Sequence, residues 1–332
     1  MNEEFVSTIN AGYTFQGAKI QLGAAILNGE VYKEAQISIP LKMMNRHGLI
    51  AGATGSGKTK TLQILAEQLS QQGVPVLMMD VKGDLSGIAA AGVANSKIQE
   101  RMDKIGIPYK IHSSPVEFLT LSNEKGTRLR ATVTEFGPIL FSKILELNDV
   151  QQGVVSLVFK WADDNSLPLL DLQDFKKTLQ YLTNEGKAII AEEYGTVSPA
   201  STGTIMRKIL ELEQQDAELF FGEPSFEVNE LLRLDDLGQG MVSIIRLVDI
   251  QDKPKLFSTF ILQMLAEVYA TFPEVGDMDK PKLAIFIDEA HLIFENANKT
   301  LIDQIETTIK LIRSKGVGIY FITQNPSDVP NN

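Results

Sequence analysis

The chain has 332 residues, 44% of them apolar, with a formal net charge of −11, three histidines and no cysteine. That is enough for a sizeable core with room for a second subdomain; it excludes a disulfide framework and a Cys-ligated metal, and argues against a His-based zinc cluster and against a chain that simply coats nucleic acid, though not against a motor gripping DNA with a few loops inside a ring. No apolar run reaches transmembrane length and the N-terminus, MNEEF, lacks a basic segment followed by an apolar one, so the expectation is a soluble cytoplasmic protein without a membrane segment.

Residues 1–45 read as a short β-rich segment. Val6–Ile9, Thr14–Phe15, Ile20–Leu27 and Gln36–Leu41 carry strand-type residues, with Gly12, Gly17, Gly23 and Gly29 between them. No chemistry is legible there. His47–Ala53 (HGLIAGA) is a short apolar run of the kind a buried parallel strand shows.

Gly52 to Thr59 reads GATGSGKT and fits G-x-x-x-x-G-K-[ST] at every fixed position. Backbone N–H groups must wrap a phosphate chain here, so side chains at Gly52, Gly55 and Gly57 would get in the way. Lys58 supplies a mobile charge for the β- and γ-phosphates, and Thr59 a hydroxyl for Mg²⁺. Ala53, Thr54, Ser56 and Lys60 complete the nucleotide-binding stretch. The following helix, Thr61–Gln72, has Leu62, Leu65, Ala66 and Leu69 on one face and stops at Gly73. Its N-terminus points a positive end at the phosphates.

Val74–Asp80 (VPVLMMD) reads as a second buried strand ending in an acid. Ligands of parallel α/β sheets sit beyond the carboxyl ends of the strands, which puts Asp80 near the nucleotide; a turn or helix-cap role is the alternative. Lys82–Gly92 is a loop, and Ile107–Ile111 and Val116–Leu121 read as two further short strands. From 130 to 232 the pattern turns helical: Gly137–Leu147, Val150–Ala162, Leu172–Thr183, Lys187–Glu193 and Thr202–Asp216 have apolar residues at helical spacing. This is a helical insertion within the sheet domain. Trp161 lies on an apolar stripe with Val154 and Val158 and reads as core. Asp163, Asp164, Asp171 and Asp174 flank a turn without calcium-loop spacing.

The sheet resumes at Gly240–Asp249, with Arg246 towards its carboxyl end, followed by an amphipathic helix over Leu256–Phe272. Lys280–His291 (KPKLAIFIDEAH) reads as a buried strand ending in two acids. Downstream of a P-loop that is a Walker B pattern, with Asp288 holding Mg²⁺ through its waters and Glu289 as general base for the attacking water. Asn298–Ser314 reads as a helix ending near Arg313. A lone cation there commonly serves the helix dipole. The last strand, Gly316–Gln324, ends in Thr323 and Gln324, a polar pair that either touches the γ-phosphate and its water or is an ordinary loop pair.

An acid pair in Walker B together with a strand ending Thr-Gln resembles the additional-strand, catalytic-glutamate NTPases. Within them the chain resembles the HerA/FtsK branch, most of all a bacterial family of HerA-like ATPases. The stretches that carry the likeness are GLIAGATGSGKTKTLQILAE, VLMMDVKGDLSG, ELFFGEP, KLAIFIDEAHLIF and IRSKGVGIYFITQNPSDVP, within residues 46–330. The resemblance implies an α/β fold: a RecA-like P-loop core with a mostly parallel sheet, divided into residues 1–45, 46–129 (Walker A), the insertion 130–232, and 233–332 (Walker B and the sensor strand). It implies ATP and Mg²⁺ as cofactors and a homo-oligomer, a hexameric ring with ATP between neighbours. Arg313 matches an arginine that reaches the neighbour's nucleotide, and Asp80 an acid near the site. The long N-terminal barrel of archaeal HerA has only residues 1–45 in its place. The family continues with further strands and helices past the last strand read here, so the sequence is expected to be a truncated core.

The function expected is therefore ATP hydrolysis by a HerA/FtsK-like motor, with Glu289, Lys58, Gln324, Arg313 and Asp80 as its catalytic set. Double-stranded DNA, moved or unwound, is the implied partner, and implied only by the resemblance. The alternatives are an ATP-dependent switch or scaffold acting on a protein partner, and a polypeptide-translocating ATPase.

Overall fold

The computed structural model describes residues 2–276, 278–294 and 299–329. Helix α1 (Asn2–Gly12) precedes a hairpin of β1 (Lys19–Leu27) and β2 (Glu30–Pro40). Next come β3 (Gly48–Ala51), α2 (Lys58–Gln71), β4 (Val76–Asp80), α3 (Ser96–Ile105), β5 (Val116–Thr120) and β6 (Thr127–Arg128). A run of helices follows: α4 (Val133–Ile144), α5 (Asp149–Asp164), α6 (Leu172–Thr183), α7 (Lys187–Glu193) and α8 (Pro199–Glu213). The chain then makes β7 (Val242–Arg246), α9 (Pro254–Thr271), β8 (Leu283–Ile287), α10 (His291–Phe294), α11 (Lys299–Ile312) and β9 (Val317–Thr323).

Seven strands form one sheet in the order β3-β9-β8-β4-β7-β5-β6, and every pairing in it is parallel. All carboxyl ends therefore face the same edge, where such sheets bind ligands. Alternation along each strand sorts side chains between two faces. Val76, Met78, Ile244, Phe286 and Ile322 pack with Leu62, Leu65 and Leu69 of α2 and with Ile20 of the hairpin. Leu77, Met79, Ile285, Ile287 and Phe321 pack on the other face with Phe257, Phe260 and Ile261 of α9. The buried residues of α4–α8 belong to that same continuous core, and Phe220 meets Phe260 edge-on at 5.9 Å.

Several strand expectations are overturned. Val6–Ile9 lies inside α1, because Phe5 and Ile9 follow a helical period and Glu3 and Glu4 favour a helix N-terminus. Phe5 packs on Tyr32 of the hairpin at 5.4 Å. Thr14–Phe15 and Ile107–Ile111 form no strand. The hairpin turns at Asn28 (φ 52) and Gly29 (φ 83), the pair of left-handed residues that a tight two-residue turn needs. β3 is not a buried strand but an edge strand, with Leu49 47% exposed.

In the helical region α4 starts at Val133, ahead of Gly137, since Thr132 and Glu135 form a capping box. Gly137 (φ 63, ψ 169) then kinks it before Pro138. α8 starts at Pro199, capped by the Ser198 side chain, so it precedes the expected Thr202–Asp216. Trp161 is only partly buried and lies 5.3 Å from Tyr181. Asp171 and Asp174 form the capping box of α6, and Asp164 accepts from Lys160 and from Tyr194. Asn298, the expected start of the last helix, lies outside the described residues.

Candidate functional site

Residues 52–57 turn from β3 into α2. A Cβ on Gly52 would lie 2.6 Å from Ser56 Oγ, so a side chain there would displace the Ser56 hydroxyl within the loop. Gly55 (φ +80) and Gly57 (φ +100) have open space at the Cβ position, so what demands glycine there is the left-handed backbone and not crowding. Gly52 N–H donates to the Thr323 carbonyl (3.3 Å), which ties the loop to the end of β9. Lys58 Nζ bends back onto the loop and donates to the carbonyls of Gly52 (2.5 Å) and Ala53 (3.3 Å). Lys60 Nζ donates to Gln63 Oε1 (2.8 Å) instead. Thr59 Oγ1 donates to Asp84 Oδ2 (3.2 Å).

Asp80 closes β4 with no exposure at all. Its Oδ1 accepts from the N–H groups of Gly83 (2.7 Å) and Asp84 (3.2 Å), and its Oδ2 from that of Leu85 (3.2 Å). Burial pushes its pKa up, and these N–H groups oppose the rise. The carboxylate thus shapes the loop bearing Lys82 and Asp84.

β8 delivers Asp288 and Glu289, 5% and 4% exposed. Asp288 Oδ1 accepts from the Glu289 N–H (2.9 Å). Burial, with the Glu289 charge adding to it, raises the Asp288 pKa to about 6. Glu289 has a left-handed backbone, φ +49, and the next N–H, of Ala290, donates to the Ile322 carbonyl of β9 (2.9 Å). Lys82 Nζ pairs with Oε1 of the Glu289 carboxylate, and His291 Nδ1 lies 3.2 Å from Oε2. The hydrogen bond to Glu289 leads the causes that raise the Lys82 pKa.

β9 runs between β3 and β8, so Thr323 reaches the site between the P-loop and the acid pair. Thr323 is buried and its hydroxyl donates to the Asp328 carboxylate, a bond that lowers the Asp328 pKa. Gln324 follows it and is exposed. Arg313 is not brought to the site. It lies in the exposed turn after α11, before β9 begins, at the amino edge of the sheet. Its charge adds to burial in lowering the pKa of His47, at the foot of β3. Arg246 stands opposite Asp80 at the carboxyl end of β7, but its side chain pairs with Glu124, Nε 2.8 Å from Oε2.

The loop Lys82-Gly83-Asp84 is the part the sequence reading missed, together with His291. Its signal was position: polar and charged residues directly after a strand that ends in Asp80, in a sheet whose carboxyl edge binds ligands. Among the described residues no group of three or more His, Cys, Asp or Glu is placed to hold a metal by itself. A cation at Thr59 and Asp288 therefore fits only with oxygens from a phosphate chain, which is the way Mg²⁺ is usually held. The glycine cradle and the buried, destabilised carboxylate of Asp288 both suit that group. No described helix is long and apolar enough to cross a membrane.

The model of the family described as helicase HerA-like C-terminal matches residues 26–332. A comparison with curated proteins gave no match. Among solved structures, plasmid coupling protein TrwB with the non-hydrolysable ATP analogue ADPNP aligns at a TM-score of 0.58 and 15% identity, over 97% of this chain and 71% of that one. TrwB with ADP and Mg²⁺ gives 0.54 and 16%, over 95% and 75%. VirB4 of Thermoanaerobacter pseudethanolicus gives 0.58 and 15%, over 96% and 79%. Likeness at these identities speaks to the fold, which is that of the RecA-like P-loop NTPases. With a parallel sheet presenting a P-loop and an Asp-Glu pair on either side of β9, and a family model matched over nearly its whole length, the chain belongs to the helicase HerA-like C-terminal family, within the HerA/FtsK class of P-loop ATPases.

Proposed function

We propose that the protein is a Mg²⁺-dependent ATP hydrolase that works as a hexameric motor on double-stranded DNA. The main support is the convergence of Lys58, Thr59, Asp288 and Glu289 at one sheet edge, tied together through β9. Lys58 leaves the carbonyls of Gly52 and Ala53 to neutralise the β- and γ-phosphates. Thr59 and Asp288 are the residues that would hold Mg²⁺, which when bound neutralises charge on the phosphate oxygens. Glu289 Oε accepts the proton of the attacking water, and the exposed Gln324 is free to orient that water. Asp80 acts indirectly, by shaping the loop of Lys82 and Asp84. Arg313 acts on the neighbouring subunit's nucleotide.

The DNA substrate rests on family membership, and the formal net charge of −11 favours a second reading, an ATP-driven switch or a motor on a protein partner. ATP turnover with and without double-stranded DNA, over a range of salt, separates the two. Stimulation by DNA that fades as salt rises is the expected result; turnover indifferent to DNA supports the protein-partner reading. Lys58→Ala, which should abolish tight MgATP binding in calorimetry, is the control for the site itself.

A further inference from the structure

Lys82 is the mobile member of the Glu289 ion pair. Its side chain is 48% exposed, against 5% for Glu289, and a lysine ammonium on a four-carbon stem repositions readily. Glu289 has less room to move, since its side chain is buried and its backbone is fixed by the bonds of Asp288 and of Ala290. The charges of Glu289, Asp288 and Asp84 all bear on Lys82. Asp84, two positions along the same loop, bonds Thr59 at the start of the P-loop helix. The Lys82 loop therefore joins the start of the P-loop helix to the base, the space that the proposed function assigns to the terminal phosphate of a triphosphate. Asp80 holds the loop in that place through the N–H groups of residues 83–85.

Taking the site as a nucleotide hydrolase, we propose that Lys82 is a triphosphate-selecting latch, resting on Glu289 until a γ-phosphate draws it off and frees the base. A terminal phosphate carries more charge than one carboxylate and forms charge-assisted bonds with an ammonium. ADP leaves Lys82 on Glu289, so the diphosphate state keeps its base engaged. Only the difference between the two partners of Lys82 shifts the equilibrium, and that difference appears as preference for triphosphate over diphosphate.

The test is calorimetry on the full chain with Mg²⁺, using ADP and a non-hydrolysable ATP analogue, with folding checked by circular dichroism. Lys82→Met keeps the stem and removes the charge; Lys82→Gln replaces it if the Met variant does not fold. The expected result is an affinity for the ATP analogue weakened by about tenfold or more, an affinity for ADP within about twofold of wild type, and recovery of most of the loss in Lys82→Arg. Equal effects on both nucleotides, or no effect on either, overturn the latch while leaving the nucleotide site standing. Failure of the wild-type chain to bind either nucleotide overturns the site reading and the latch together.

Discussion

Glu289 sits at φ +49, where a non-glycine residue gives up on the order of 1–2 kcal/mol. The surrounding bonds hold it there: Asp288 Oδ1 receives its N–H, and Ala290 is anchored on β9. The side chain is almost wholly buried, with Lys82 paired to one carboxylate oxygen and His291 Nδ1 3.2 Å from the other. A strained, enclosed carboxylate beside a phosphate cradle suits a base that must be placed before water arrives. Glu289→Gln keeps the shape and removes the base. It is expected to bind ATP at least as tightly as wild type does, because Lys82 is no longer held by a carboxylate, while phosphate release slows by roughly 10²–10⁴-fold. Wild-type turnover in that variant would put the base elsewhere. Asp84, which bonds Thr59, would then be the next residue to test, since the carboxylate of Asp80 is enclosed by backbone N–H groups.

At the scale of elements, the hairpin is fastened to the P-loop helix by side chains that complete its backbone bonding. Gln68 of α2 accepts from Gln21 N–H (2.7 Å) and donates to Gln21 C=O (2.9 Å), and Gln72 donates to the Lys19 carbonyl (2.9 Å). Gln68→Ala leaves both polar groups of Gln21 without that partner, so denaturant unfolding should show a loss of about 1–3 kcal/mol. A second element contact is sensitive to pH. Glu267 of α9 has its pKa raised to about 7, first by burial and then by Glu135 of α4, with Glu227 adding less, while the Val228 N–H opposes. The folded state disfavours the anion, so this group costs stability progressively as pH rises from about 4.5 to about 7, and the cost persists above. Thermal melts should show Glu267→Gln more stable than wild type at pH 8 and close to it at pH 5. How much of this was legible depends on whether the signal is local. Leu172–Thr183 and Lys187–Glu193 coincide with α6 and α7 because their apolar spacing stands within one helix. GATGSGKT and the Asp-Glu pair declare themselves because phosphate chemistry constrains contiguous residues. α1 was hidden by β-branched Val6, Thr8 and Ile9, whose strand preference is overruled by helical spacing and packing on Tyr32. The Lys82–Glu289 pair joins the ends of β4 and β8, and no spacing in the sequence announces a contact made by sheet order.

At the scale of the whole molecule, the placement of Arg313 decides what it can do. It precedes β9, whose seven residues, Val317–Thr323, run to the site, so roughly 20 Å of strand lies between the turn that carries it and its own phosphates. An arginine so placed is either a helix-end cation or a group that serves another subunit. If it serves another, Arg313→Ala should lower turnover on the order of 10³-fold, the scale of arginine fingers, without weakening ATP binding to the same degree. Subunit mixing is the sharper measurement. Glu289→Gln subunits offer an intact arginine to the neighbour, and Arg313→Ala subunits an intact base, so a mixed ring contains interfaces that pair a good base with a good arginine. Partial activity should return on mixing two inactive preparations. A contribution from within the chain predicts no return, because every subunit keeps one defect. Sedimentation of each preparation comes first, since rescue requires assembly. A strictly monomeric species that hydrolyses ATP at an ordinary rate would assign Arg313 to the end of α11 and remove it from the chemistry.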